Sequence, residues 1–125
     1  MYFDKYIGID WSGDKNNFQK GISVAQCMKG NKVPYIVKPP TKYWTRSALL
    51  EWLYIEIKKQ KNLIGFDFAF SYPFYDKFSY FPGIKDSPTN SEQLWKLIDF
   101  INKDAQNFYG GDIWNDRSYK NFFNS

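Results

Sequence analysis

The chain predicts an α/β domain built on a mixed sheet, and three observations lead there. First, Ile7-Gly8-Ile9-Asp10-Trp11-Ser12 is echoed by Ile64-Gly65-Phe66-Asp67-Phe68-Ala69. Each is a short apolar run ending in Gly, a large apolar residue, Asp, an aromatic and a small residue. Runs of this length bounded by turn signals read as buried strands of the kind found in parallel sheets. Second, a helical apolar pattern lies just ahead of the second run. A helix joining two strands in this way is a right-handed crossover, which sets the strands parallel. Third, turn residues at Gly13-Asp14 and Gly30-Asn31 cut the opening of the chain into short strands.

In order, residues 5–11 read as the first strand and 12–17 as a turn-rich segment. Residues 18–28 alternate loosely as a second strand, in which Cys27 is a packed residue following Ile22-Ser23-Val24-Ala25. Gly30-Asn31 supports a tight hairpin into a third strand at about 33–38, which Pro39-Pro40 ends. Thr45 or Ser47 caps a helix reaching about Lys59. Leu49, Leu50, Leu53 and Ile57 give it an apolar stripe, with Trp52 beside it, and Lys58, Lys59 and Lys61 complement the dipole at its end. The second Asp strand follows at 62–68. After Ser71 comes a long aromatic loop. Thr89-x-x-Glu92 is a capping box opening a helix to about Gln106, with Leu94, Leu97, Ile98 and Ile101 as its apolar face. Gly110 and Gly111 stand ready to stop it. From Asp112 onward no period is legible. A length of 125 residues suits one domain, spanning 1–125.

Composition narrows the chemistry. Seventeen Lys and Arg against thirteen Asp and Glu give a net charge of +4, compatible with a polyanionic partner without demanding one. There is no His, which excludes a His base, a Ser-His-Asp triad and His metal ligands. A single Cys excludes an intrachain disulfide and a Cys zinc cluster. Carboxylates, Lys and Arg, hydroxyls and backbone amides remain, so a catalytic site is expected to be acidic and metal-loaded. Met1 to Tyr6 carry no basic region ahead of a long apolar run, and no stretch is long enough to span a bilayer. No membrane partner is expected, and the expected location is the cytoplasm.

Side chains alternate along a strand, so Gly8 and Asp10 share a face, as do Gly65 and Asp67. Parallel neighbours in register lie about 4.8 Å apart and bring both carboxylates out at one edge. Carboxylates that close repel unless a proton or cation lies between them, and a divalent metal suits the pair. The competing reading of either Asp is an Asx-turn residue ending a strand. Trp11 points away from Asp10 into the core. Ser12 is a turn residue or a phosphate donor, and Asp14 a turn acid or an outer ligand. The loop from Phe70 to Phe81 reads as a second hydrophobic cluster covering the sheet, ahead of a base-stacking surface. Arg46 and Lys42 read as solvated charge ahead of phosphate contacts.

Ile7 to Gly13, Ile64 to Phe70 and Ser71-Tyr72-Pro73 resemble an uncharacterised family of predicted nucleases in the ribonuclease H-like superfamily. Tyr80-Phe81-Pro82-Gly83 and Asn107-Phe108-Tyr109-Gly110-Gly111 look like further segments of it, so the resemblance runs from about residue 5 to 114. It implies a three-stranded antiparallel meander, then a helix, a parallel strand and a helix. It also implies that Asp10 bridges two Mg²⁺ or Mn²⁺ ions and that Asp67 holds one of them. Glu51 is the best positional match for a third carboxylate, with a solvated helix residue as its plain alternative and Glu56 a weaker candidate. No fifth strand and no closing helix with an acid are legible, and no pattern supports Asp112 or Asp116 in that place. The C-terminal part is therefore expected to be shortened, naturally or by truncation after about 114.

The expected function is metal-dependent hydrolysis of phosphodiester bonds in nucleic acid, by two metals about 3.5–4 Å apart. The alternative is a catalytically incomplete domain of the same fold that binds nucleic acid or protein. An actin-like or sugar-kinase-like nucleotide site is a third reading, for which one domain of this length lacks the second half. An edge left open by the absent fifth strand makes a homodimer a further expectation.

Overall fold

The structure is a computed structural model and describes residues 2–68, 72, 74 and 78–123. The chain divides into two compact units, Met1–Phe68 and Ala69–Ser125, each with its own apolar cluster.

The first unit contains β1 (Lys5–Asp10), β2 (Ser23–Met28), β3 (Tyr35–Ile36), α1 (Arg46–Lys59) and β4 (Asn62–Phe66). The sheet order is β3-β2-β1-β4, antiparallel from β3 to β1 and parallel between β1 and β4. The α/β class, the mixed sheet and the helical crossover are therefore present. The two echoed runs lie side by side in register: Ile7 opposite Ile64, Gly8 opposite Gly65, Ile9 opposite Phe66.

Alternation along β1 buries Lys5, Ile7 and Ile9 on one face. There Ile7, Ile9 and Val24 pack with Leu49 and Leu53 of α1 and with Trp44; Ile64 and Phe66 of β4 close the flank. On the other face, Tyr6, Gly8, Ala25, Cys27, Leu63 and Gly65 line an open groove of about 500 Å³. Cys27 is thus a strand residue at the groove wall, half-buried rather than fully packed.

Several boundaries differ from expectation. The third strand is only two residues long, because Pro34 brings no N–H to the ladder and Val33 stands 83% exposed. The connection into it is a wide loop, with Gln26 opposite Tyr35 as its last pair and Gly30 turning at φ 87°. Residues 18–22 leave the second strand, Gln19 pairing instead with Trp44 in an isolated bridge. Thr45 is the cap of α1, its hydroxyl accepting from Ala48 N at 3.0 Å.

The buried stripe of α1 is Arg46, Leu49, Leu53 and Glu56, with Trp52 half-buried beside it. Leu50 and Ile57, expected in it, are 45% and 50% exposed. Two charged residues take the stripe's ends because each finds partners there. Arg46 donates to main-chain carbonyls, and Glu56 accepts from Lys5 and Lys59.

In the second unit α2 spans Ser91–Ile101, followed by single 3₁₀ turns at Gln106–Phe108, Asp112–Trp114 and Lys120–Phe122. The capping box sits one residue later than the sequence pattern suggests. Asn90 accepts from Gln93 N at 2.9 Å and Gln93 reaches back to Thr89 N, while Glu92 pairs with Lys96. The helix ends before Gln106 because the Asn102 side chain donates to Ile98 O at 2.7 Å and accepts from Asp112 N. Leu94 is buried with Phe81 and Ile113, and Leu97, Ile98 and Ile101 pack against them. Tyr72 and Tyr80 of the aromatic loop pack into this cluster. Ala69, Phe70, Ser71 and Pro73, parts of the echo and of the segments on which the resemblance rests, lie outside the described residues. Among the described residues no strand follows β4, and no helix is long and apolar enough to cross a membrane.

Candidate functional site

The parallel register decides where the two Asp residues go. With Ile9 opposite Phe66, the next residue of each run is an Asp, and both leave the sheet at the same end. Asp67 N continues the ladder to Ile9 O at 3.2 Å. The Trp11 amide then turns aside and donates to Asp67 Oδ1 at 2.7 Å. Gly8 and Gly65, one pleat below the acids, leave open space where a Cβ would sit. The echo in the sequence thus becomes a carboxylate pair one pleat beyond two glycines that carry no side chain toward it.

Hydrogen bonding toward the neighbouring Asp67 carboxyl, then its charge, then slight desolvation hold the Asp10 carboxyl above its ordinary value of 3.8. Two carboxylates this close form a site at which a hard divalent cation can offset their repulsion.

The neighbouring residues have other duties. Ser12 Oγ accepts from Asp14 N at 3.2 Å, which is a turn contact. Asp14 accepts from the backbone N of Asn16 at 2.9 Å and from its side-chain amide at 2.7 Å, which hold its carboxyl below the usual value. It is a turn acid.

Glu51 lies exposed on α1, two residues from buried Leu49 and on the opposite side of the helix. Among the described residues no group of three or more His, Cys, Asp or Glu is placed to hold a metal ion, so Glu51 does not join the pair. Glu56 is buried in a pair with Lys5 and also meets Lys59 at 2.6 Å, at the end of β1 away from Asp10. In the second unit, Asp112 opens a 3₁₀ turn and Asp116 accepts from Ser118 N at 2.8 Å.

Arg46 is not a surface cation open to phosphate. It is 3% exposed and donates to Ser12 O at 2.8 Å and Asp14 O at 2.6 Å. Lys42 is exposed, its ammonium 5.4 Å from the centre of the Tyr43 ring.

Sequence reasoning missed the Trp11 amide and Gln19, which is 1% exposed and donates to Asp14 O at 3.1 Å. Nothing in the residue pattern announces either. Arg46 did leave a trace: a cation in the first turn of a helix opposes the dipole, so a specific partner is its usual explanation. No protein-family model, curated protein or solved structure matches this chain.

Proposed function

We propose that this chain is a ribonuclease H-like domain that hydrolyses phosphodiester bonds in nucleic acid, with Mg²⁺ or Mn²⁺ held by Asp10 and Asp67. One observation carries the reading: two carboxylates stand side by side at adjoining strand ends, beside glycines that leave the approach open. The strand order and the helical crossover from β3 to β4, which sets β4 parallel beside β1, accord with that superfamily.

A divalent cation at such a site supplies Lewis acidity to the phosphate and lowers the pKa of bound water. The protein's part is to provide hard oxygen ligands and fix their direction. Asp67 is oriented by the Trp11 amide, and Asp10 by its place at the end of β1. Two carboxylates suit Mg²⁺, which commonly keeps water and phosphate oxygens in its remaining positions. No imidazole is needed.

Thermal unfolding with and without Mg²⁺ or Mn²⁺ tests the site on wild type and Asp10→Asn. Metal at 100 times its dissociation constant adds about 2.7 kcal/mol to wild type, and the mutation should remove that gain. Metal-dependent cleavage of nucleic acid should disappear in the same variant. Cleavage that survives Asp10→Asn removes the assignment.

A second reading is a domain of this fold that binds nucleic acid or protein without turning it over. It is favoured by the lack of a third acid beside the pair among the described residues. Metal-independent binding with no product would select it.

A further inference from the structure

Arg46 bears two penalties at once. It is a cation in the first turn of α1, where the helix dipole disfavours it, and it is almost fully buried. Its partners explain why it is there. The guanidinium spans the turn that follows Asp10, taking the carbonyls of Ser12 and Asp14 on either side of Gly13. The same group lies 5.6 Å from the centre of the Trp11 ring.

Gln19 fastens the turn from its far side. Its side chain donates to the carbonyls of Asp14 and Asn16, and its backbone N donates to Trp44 O at 2.7 Å. Residues 12–19 are thereby tied twice to the segment that leads into α1. The ring of Trp11 rests edge-on against Phe66 and Phe68, with centroids 5.9 and 5.5 Å away. Trp11 is held by the turn on one side and by the second Asp run on the other. Its amide is the group that fixes Asp67.

We infer that Arg46 is a positioning residue for the carboxylate pair, clamping the Ser12–Asp14 turn so that the Trp11 amide stays on Asp67. The consequence for metal binding rests on the function proposed above; the consequence for the Trp11 amide does not. With Oδ1 of Asp67 committed to that amide, the plane of the carboxyl is set before any ligand arrives. Freed from the clamp, the turn can swing, Asp67 can rotate, and the pair loses its fixed geometry.

The test uses the full chain with Arg46→Met, which keeps an apolar stem and removes the donors, and Arg46→Lys, which keeps the charge but not the fork. Amide hydrogen exchange is followed at Trp11, with Ile7, Ile9 and Gly65 of the sheet as internal controls, and Mn²⁺ affinity is measured in parallel. Arg46→Met should speed exchange at Trp11 about ten-fold relative to the sheet amides. Its Mn²⁺ affinity should fall by about 10–100-fold, the usual loss when an outer-shell partner is removed. Arg46→Lys should fall between the two, and it carries the same comparison should Arg46→Met not fold.

Exchange at Trp11 that merely tracks the sheet amides in the variants overturns the inference and leaves Arg46 a support of the fold. Faster Trp11 exchange with unchanged Mn²⁺ affinity overturns the link to the site. Wild type that binds no Mn²⁺ removes the metal reading instead, and the exchange comparison still decides the clamp.

Discussion

Asp10 and Asp67 illustrate how two neighbouring carboxyls set a pH dependence. Because Asp10 is raised above 3.8 in the fold, the folded state holds its proton more tightly than the unfolded chain does. The resulting stabilisation is full below the ordinary carboxylate range and is lost as pH rises through the raised value. Asp67→Asn removes the charge and leaves only a weaker, neutral acceptor, so Asp10 should titrate nearer 3.8. A carboxyl NMR titration reads this directly, and an unmoved Asp10 would show that the pairing is absent in solution. A cation at the proposed site competes with the same proton. Mn²⁺ should therefore bind more weakly as pH falls through the raised value, and affinity that does not change with pH would oppose a shared site. Glu56 runs the other way. Hydrogen bonds from Lys5 and then Lys59 hold it below 4.5, so its contribution is present above that range and is lost as pH falls through the lowered value.

The elements make their own predictions. The Lys5–Glu56 pair joins the start of β1 to the last turn of α1, and both side chains are buried. Glu56→Gln leaves the Lys5 ammonium buried without its counter-charge, which should cost about 3–5 kcal/mol in denaturant unfolding. A loss below about 1 kcal/mol would mean that Lys5 escapes to water. Gly65 in β4 is the contrasting case. A Cβ there meets nothing within 4 Å, so Gly65→Ala relieves backbone entropy without a clash. It should stabilise by roughly 0.5–1 kcal/mol. Marked destabilisation would mean that the groove floor is covered in solution. These elements also mark the limits of pattern reading. Apolar spacing located α1 and α2 because each buries Leu or Ile at helical intervals. It assigned Leu50 and Ile57 to the wrong side of α1, because the ends of the buried stripe are charged and only their partners make them buried.

At the scale of the molecule, charge is unevenly shared. Residues 1–68 carry eleven Lys and Arg against six Asp and Glu, whereas residues 69–125 carry six against seven. Nucleic-acid binding, if it follows the proposed function, should be driven by the first unit. It should weaken with salt, log K falling by about 0.7 per phosphate contact on a single strand for each unit of log salt. Filter binding across a salt series checks this, and affinity that ignores salt would argue for a partner other than a polyanion.

The amino-acid order alone determined the two Asp strands, the crossover that makes them parallel, and the absence of imidazole and paired thiols. Those are properties of local pattern and composition, and they hold wherever the chain folds. Tertiary structure decided the rest. It put the Asp10 and Asp67 carboxyls beside each other, a matter of register between strands far apart in the chain. It turned Glu51 outward, because the rotation of α1 is set by which residues its neighbours can satisfy. It made a buried clamp of Arg46, since a cation can be buried where carbonyls from another segment converge on it.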